Sequence, residues 1–243
     1  MPIVKIMKLP KIKFDYPTYI VGGWVRDYIT GRSSKDIDLC MVVDSFDKMR
    51  DSIVKAGGEI FLETPQYMTI RCKIPNLGAV DVAMARKDGD YSDGRRPDSV
   101  GVAKDIIDDL SRRDFRMNAM AIDLSNGELI DPFGGQNDLR SGLIETVGSA
   151  KMRFNEDYLR VLRAIRFKIT LGMFLSSGIE LAIESPEVIE GLKKISTERV
   201  REELFKCFNH DTVATLSFFF NYDYLIEVLF EDHKIKLIPT IQS

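Results

Sequence analysis

The run Asp36-Ile37-Asp38-Leu39-Cys40-Met41-Val42-Val43 constrains this chain more than any other segment. Its apolar part is expected to be a buried strand, so the two leading carboxylates, at i and i+2, point to one face at the strand's mouth. Charges in that setting need partners, because an unpaired buried carboxylate is costly. Hard divalent cations take oxygen ligands, and Mg2+ commonly uses one or two carboxylates plus substrate phosphates, as in metal-assisted phosphoryl transfer. An isolated Asp-x-Asp is usually a solvated surface pair. The apolar run behind this one sets it apart.

Composition narrows the metal chemistry and the class of protein. His210 and His233 are the only histidines, and Cys40, Cys72 and Cys207 are widely spaced, so carboxylates must supply most ligands for any metal. A disulfide framework is not expected, and a reducing compartment fits. The 243 residues are 44% hydrophobic and 29% charged with a net charge of −3, which excludes disordered and collagen-like classes and predicts one large or two small domains. No apolar stretch is long enough for a membrane span and the N-terminus lacks a signal-peptide core, so a cytoplasmic protein without membrane association is expected. The near-neutral total hides a basic segment, Lys151 to Lys168, with Lys151, Arg153, Arg160, Arg163, Arg166 and Lys168 against Glu156 and Asp157.

Patterning predicts strand, helix, strand, helix over Tyr19 to Gly22, Trp24 to Thr30, Ile37 to Val43 and Phe46 to Ala56. Further strands are expected at Tyr67 to Lys73, Ala79 to Ala85 and Ala119 to Leu124. Lys87 to Ser99, dense in Asp, Gly, Arg and Pro, reads as a mobile loop, and Asp131 to Gly135 as a turn leaving the sheet. After about Gly148 the pattern becomes helical, with Asn155 as a candidate N-cap and Leu159, Leu162, Ile165 and Ile169 at helical spacing. Helices are expected at Ile179 to Ser185, Glu187 to Lys194 and Thr197 to Asn209. The expected class is α+β: a head with a mixed sheet and flanking helices over 1–147, an all-helical neck over 148–208, and a short helical body over 209–243.

Two glycines, Gly22-Gly23, end the first strand and open a helix, so backbone N–H groups can approach an anion there, with Arg26 one turn on. The segment is neither a Walker P-loop nor a GxGxxG fingerprint. Asp81 alternates with apolar neighbours in Ala79-Val80-Asp81-Val82-Ala83 and is the third candidate carboxylate. Arg112, Arg113, Asp114 and Asn118 precede another strand, and arginines beside small polar groups suit triphosphate and ribose contacts.

Together these segments resemble the DNA polymerase β-type nucleotidyltransferase superfamily. More narrowly, Gly22-Gly23-Trp24-Val25-Arg26-Asp27, Arg112-Arg113-Asp114-Phe115-Arg116-Met117-Asn118-Ala119, Asp131-Pro132-Phe133-Gly134-Gly135, Glu156-Asp157-Tyr158-Leu159-Arg160 with Arg163-Ala164-Ile165-Arg166-Phe167, and Glu198-Arg199-Val200-Arg201-Glu202-Glu203 are similar, in order, to motifs of class II CCA-adding enzymes (tRNA nucleotidyltransferases) and bacterial poly(A) polymerases. The resemblance implies an Mg2+-dependent enzyme that adds CMP and AMP from CTP and ATP to a tRNA 3′ end without a template. The alternatives are a poly(A) polymerase and an inactive RNA- or nucleotide-binding module.

The same resemblance implies residue roles. Asp36 and Asp38 hold the metal, and Asp81 completes the catalytic triad. Gly22, Gly23, Arg26, Arg113, Asp114 and Asn118 contact the nucleotide or brace its sugar. Asp157 and Arg160 present a base-selecting edge, Arg163 and Arg166 face phosphates, and the Glu198 to Glu203 motif braces the neck. The loop Asp88 to Val100 leans toward complete CCA addition. The pattern departs at Arg116, where the family usually has a small hydroxyl residue, and at Ala83-Met84-Ala85. Nothing in the sequence sets an oligomeric state.

Overall fold

A computed structural model describes residues 12–34 and 36–237. The first eleven residues of the expected head and residues 238–243 of the expected body lie outside this range. Two compact units emerge, one running to Asp90 and from Asp98 to Ser141, the other made of Tyr91–Pro97 and the chain from Gly142 onward.

The first unit comprises β1 (Thr18–Val21), α1 (Gly23–Ile29), β2 (Ile37–Met41), α2 (Phe46–Lys55), β3 (Glu59–Thr64), β4 (Thr69–Ile74), β5 (Gly78–Met84), β6 (Arg86–Asp88), β7 (Val100–Val102), α3 (Ile106–Ser111), β8 (Ala121–Asp123), β9 (Leu129–Ile130) and α4 (Gly135–Ser141). Within the described residues, seven strands form one sheet in the order β3-β4-β5-β2-β1-β8-β9. The β2–β5 pair is parallel and the other neighbours are antiparallel, so the sheet is mixed, as expected.

Period-two alternation explains which face is buried. In β4, Ile70, Cys72 and Ile74 are buried while Arg71 and Lys73 are exposed; in β5, Val80, Val82 and Met84 are buried while Asp81 is exposed. The buried set joins Ile20, Leu39, Met41, Met49 and Ile53 in one core, each such side chain contributing roughly 1.5–3 kcal/mol through removal from water. Helix α2 starts where the Ser45 hydroxyl accepts from the Lys48 amide, at 3.3 Å, and lays Met49 and Ile53 onto the sheet.

Several elements escaped the sequence pattern. Strand β3 is a sheet edge with Phe61 and Leu62 each 55% exposed, and its pairing with β4 is irregular between Ile60 and Leu62, so it shows no alternation. The segment expected as a mobile loop has paired ends, because β6 and β7 form an antiparallel ribbon. Helix α3 was not anticipated, although Asp105 caps it by accepting from the Asp108 amide at 2.9 Å. The turn at Asp131 leads into α4, whose first amides, of Gly135 and Gln136, donate to the Asp131 carboxylate at 2.7 and 2.9 Å.

The second unit holds β10 (Leu143–Ile144), α5 (Ala150–Glu156), α6 (Leu159–Leu171), β11 (Phe174–Leu175), α7 (Ser177–Ile183), α8 (Pro186–Leu192), α9 (Thr197–His210), α10 (Thr212–Asn221) and α11 (Tyr224–Ile226), the last continuing as a π-helical turn over Glu227–Glu231. Strands β10 and β11 pair in parallel, so this region is not wholly helical. Asn155 is not an N-cap. It lies inside α5, and the helical pattern expected to start at this cap is instead broken at Asp157 and Tyr158. Within residues 91–97, the Asp93 carboxylate accepts from the Arg95 and Arg96 amides at 2.8 and 2.7 Å, and Gly94 packs on the Tyr158 ring, whose other edge meets Gly191. Buried Glu203 of α9 pairs with Arg166 of α6 at 2.6 Å and with Lys206 at 2.8 Å. Among the described residues no single helix is long and apolar enough to cross a membrane.

Two stability predictions follow from this packing. A Cβ at Gly58 would lie 2.6 Å from the Ile53 Cγ2 and 2.8 Å from the Ile53 carbonyl oxygen. Gly58→Ala should therefore cost about 1–3 kcal/mol in urea unfolding, and an unchanged midpoint would show that the turn yields freely. Burial raises the Glu203 carboxyl pKa, but Lys206 and Arg166 outweigh it and hold the group below the ordinary glutamate range. A depressed folded-state pKa adds stability above the unfolded-state value and loses it as pH falls through the folded one. Glu203→Gln should lower Tm at neutral pH and flatten the decline of Tm on acidification; equal slopes for variant and wild type would refute this.

Candidate active site

The mixed sheet brings its acidic residues together through one parallel pairing. Asp38 of β2 is registered directly against Asp81 of β5, and registered residues of adjacent strands share a face. At the usual strand spacing of about 4.8 Å, their side chains stand close enough to act on one ligand. Asp36, one residue before β2, is two positions from Asp38 and exposed. Burial raises the Asp38 carboxyl pKa; Arg113 opposes this, while the charges of Asp81 and Asp36 add to it. The ionised form is thus held at a cost that a bound cation would relieve.

Among the described residues, no three Asp, Glu, Cys or His side chains are gathered tightly enough to enclose an ion. The site is an open, oxygen-only edge rather than a closed cage. That donor set fits Mg2+, which takes few protein carboxylates and leaves positions for substrate phosphates.

Gly22 adjoins this edge. Its register neighbour Val21 pairs with Asp38, and Gly22 itself has φ 74°. A Cβ there would lie 3.2 Å from Arg113 Nη1 and 3.9 Å from Asp38 Oδ2, so the glycine keeps the space between a guanidinium and a carboxylate open. Arg26 folds back beside Gly23, with Nη2 3.5 Å from the position of an added Cβ. Arg26 also donates to Asp27 and to the Asn118 side-chain oxygen, both at 2.9 Å, and Asn118 donates in turn to Asp114 at 3.4 Å. Buried Asp114 accepts the Phe115 amide at 2.8 Å, which fixes the short turn carrying Asn118. The expected residues Gly22, Gly23, Arg26, Arg113, Asp114 and Asn118 thus gather around the Asp38 edge or brace the groups that do.

Sequence reasoning missed Asp109, the group that orients Arg113. Asp109 is fully buried in α3; its Oδ2 accepts from Arg113 at 2.9 and 3.2 Å and its Oδ1 from Arg112 at 2.6 and 3.0 Å. Burial raises its pKa, but the two arginines outweigh that and hold it low. Burial, with the Asp109 charge adding to it, pushes up the pKa of the buried Cys40 thiol, two residues after Asp38. The helical spacing of Asp109 to Arg112 and Arg113 was the available signal.

In the second unit the expected base-selecting pair is engaged locally. Asp157 stands at the C-terminal end of α5, pairs with Arg199 at 3.2 Å and accepts the Leu159 amide at 3.1 Å. Arg160, only 8% exposed, binds Glu156 and donates to the Arg153 carbonyl at 3.1 Å. Arg166 belongs to the Glu203 pair and lies 4.1 Å from the centre of the Phe167 ring, with Arg163 5.6 Å from that ring. The segment expected as the clearest basic patch is largely neutralised. Lys151 pairs with Glu187 at 2.9 Å and Arg153 with Glu156 at 2.8 Å, acids that lie outside the segment's count or are shared within it.

Comparison with known proteins accords with this arrangement. The chain is 40% identical over 200 residues to the CCA-adding enzyme of Geobacillus thermodenitrificans (strain NG80-2), covering 80% of this chain and 46% of that protein. Its structure is similar to that of the Bacillus stearothermophilus CCA-adding enzyme in complex with CTP, with TM-score 0.69 and 34% identity over 81% of this chain and 45% of that one. It is also similar to the Thermotoga maritima CCA-adding enzyme complexed with tRNA(CCA), with TM-score 0.72 and 29% identity over 89% and 49% of the two chains. The chain spans about half the length of the curated relatives it matches. The model of the poly(A) polymerase head domain matches residues 18–145, the stretch that builds the mixed sheet and its acidic edge, and the chain belongs to that family.

Proposed function

We propose that this protein transfers CMP and AMP from CTP and ATP to the 3′ end of tRNA without a nucleic-acid template, completing a CCA end and releasing pyrophosphate. The observation that carries the reading is the registered Asp38–Asp81 pair, with Asp36 on one flank and the Arg113 guanidinium at Gly22 on the other. Similarity to CCA-adding enzymes, among them one solved in complex with CTP and one complexed with tRNA, supports this reaction over poly(A) synthesis.

Asp36 and Asp38 would hold Mg2+, which when bound supplies charge neutralisation at the triphosphate. Arg113, fixed by Asp109, binds phosphate oxygens, and a planar guanidinium suits that bidentate contact. Arg26, Asn118 and Asp114 form a hydrogen-bonded brace that holds the nucleotide's sugar. Asp81 accepts a hydrogen bond from the RNA 3′-hydroxyl and draws off its proton. The 3′ oxygen attacks the α-phosphorus in line, the bond from that phosphorus to the bridging oxygen breaks, and pyrophosphate leaves. In the second unit, Asp157 and Arg160 carry base selection, with Arg163 and Arg166 in phosphate contacts and residues 148–208 acting as a neck. To serve that role, Asp157 and Arg160 exchange partners such as Arg199 and Glu156 for a base edge. A protein with this substrate works in the cytoplasm.

The direct test is incubation with Mg2+ and labelled CTP and ATP on tRNAs ending before CCA, at C and at CC, and on an unrelated oligo-RNA. Addition that stops at CCA on the tRNAs alone is the expected result. Runs of A on every RNA would instead make the protein a poly(A) polymerase, and no addition would overturn the enzymatic reading. Asp38→Ala should lower the incorporation rate by at least about a thousandfold, reflecting several kcal/mol of transition-state stabilisation, while far-UV dichroism and Tm stay near wild type. Retained incorporation would refute the assignment.

A further inference from the structure

The acidic edge has a cationic neighbour on each side. Arg71 of β4 is registered against Asp81 of β5, Asp81 against Asp38 of β2, and Asp38 against Val21 of β1, next to Gly22 and the Arg113 guanidinium. Along this row the charges therefore run positive, negative, negative over Arg71, Asp81 and Asp38, and beyond it the Arg113 guanidinium adds a positive charge beside Gly22. On the β1 side, Gly22 leaves room and Arg113 is oriented by a buried carboxylate. On the β4 side, Arg71 Nε lies 3.8 Å from Asp81 Oδ1, with the two side chains 59% and 53% exposed. An ion pair that long and that open to water contributes little to stability.

We propose that Arg71 binds the terminal phosphodiester of the acceptor RNA, placing the 3′-hydroxyl against Asp81 from the β4 side while the triphosphate takes the Arg113 side. This rests on the nucleotidyl-transfer reading above. A transferase has two phosphate-bearing substrates to hold on opposite sides of its acids, and Arg71 and Arg113 supply one guanidinium for each. Lys73, two residues along the same exposed face, is registered against Glu59 and so has an acid opposite it, which leaves Arg71, among the described residues of this strand, as the cation registered against Asp81. The register partner of Arg71 on β3 is Leu62, and Leu62, its neighbour Phe61 and Tyr67 are each more than half exposed beside this strand. Apolar and aromatic surface next to a phosphate-binding arginine suits a single-stranded RNA end, whose bases stack while its backbone is held by charge.

The test is RNA binding without nucleotide, read by anisotropy of 5′-labelled tRNA lacking CCA across a salt series, together with steady-state kinetics. Arg71→Ala should weaken RNA binding about fivefold to tenfold and reduce the slope of log K against log salt by about one, as for loss of one phosphate contact. It should raise KM for tRNA and leave KM for CTP unchanged, whereas Arg71→Lys should keep the salt slope. A merely structural Arg71 would shift Tm without moving that slope. Wild-type RNA affinity and slope in Arg71→Ala, or a loss confined to KM for CTP, would overturn the proposal. If the wild-type protein transfers no nucleotide, the enzymatic reading fails, and the salt slope still decides whether Arg71 holds RNA phosphate.

Discussion

The structure depends on one strand pairing. Parallel registration of β2 on β5 sets Asp38 beside Asp81 on the open face and, in the same stroke, puts Leu39, Val80 and Val82 into the core on the other. A slip of one residue in either strand would exchange the two sets, burying a carboxylate and exposing an apolar row. The chemistry and the fold are therefore specified by the same register, and a chain that has packed its core has already assembled its acidic edge.

Electrostatic support for that edge comes from the layer behind it. Asp109 lies fully buried yet ionised, because the side chains of Arg112 and Arg113 and the Arg86 amide supply its hydrogen bonds. A buried charge of this kind adds little net stability compared with an apolar replacement, but it fixes the orientation of the groups that pair with it. Arg113, shared between that anchor and the open glycine, connects the interior to the place where a triphosphate would sit. The brace from Asp27 through Arg26 and Asn118 to Asp114 does the same for the adjoining helix and turn.

How far the sequence reveals this differs from element to element, for physical reasons. The Asp36 to Val43 segment is legible because polar and apolar residues change over abruptly, and the buried Leu39, Cys40 and Met41 match that reading. Strand β3 is illegible because an edge strand with an irregular ladder needs no alternation. The break between α5 and α6 carries no Gly or Pro; it shows only in the extended backbone at Asp157. The row linking Arg71 to Asp81 arises from cross-strand register, and the pairing of Arg166 with Glu203 joins residues on two separate helices. Local periodicity reports which face a residue occupies, and it is silent about what stands opposite.

The Tyr158 ring has glycine on two sides, Gly94 from the short segment 91–97 and Gly191 from α8. Neither position has room for a Cβ unless the ring moves, and a ring displaced toward one would crowd the other. The ring couples the two positions unequally: a smaller side chain at 158 would make room for a Cβ at 191, whereas position 94, with φ 65°, would still favour glycine on backbone grounds. Across related chains, the size of residue 158 should then vary inversely with that of residue 191 while residue 94 stays glycine, a covariation written by sterics rather than by substrate.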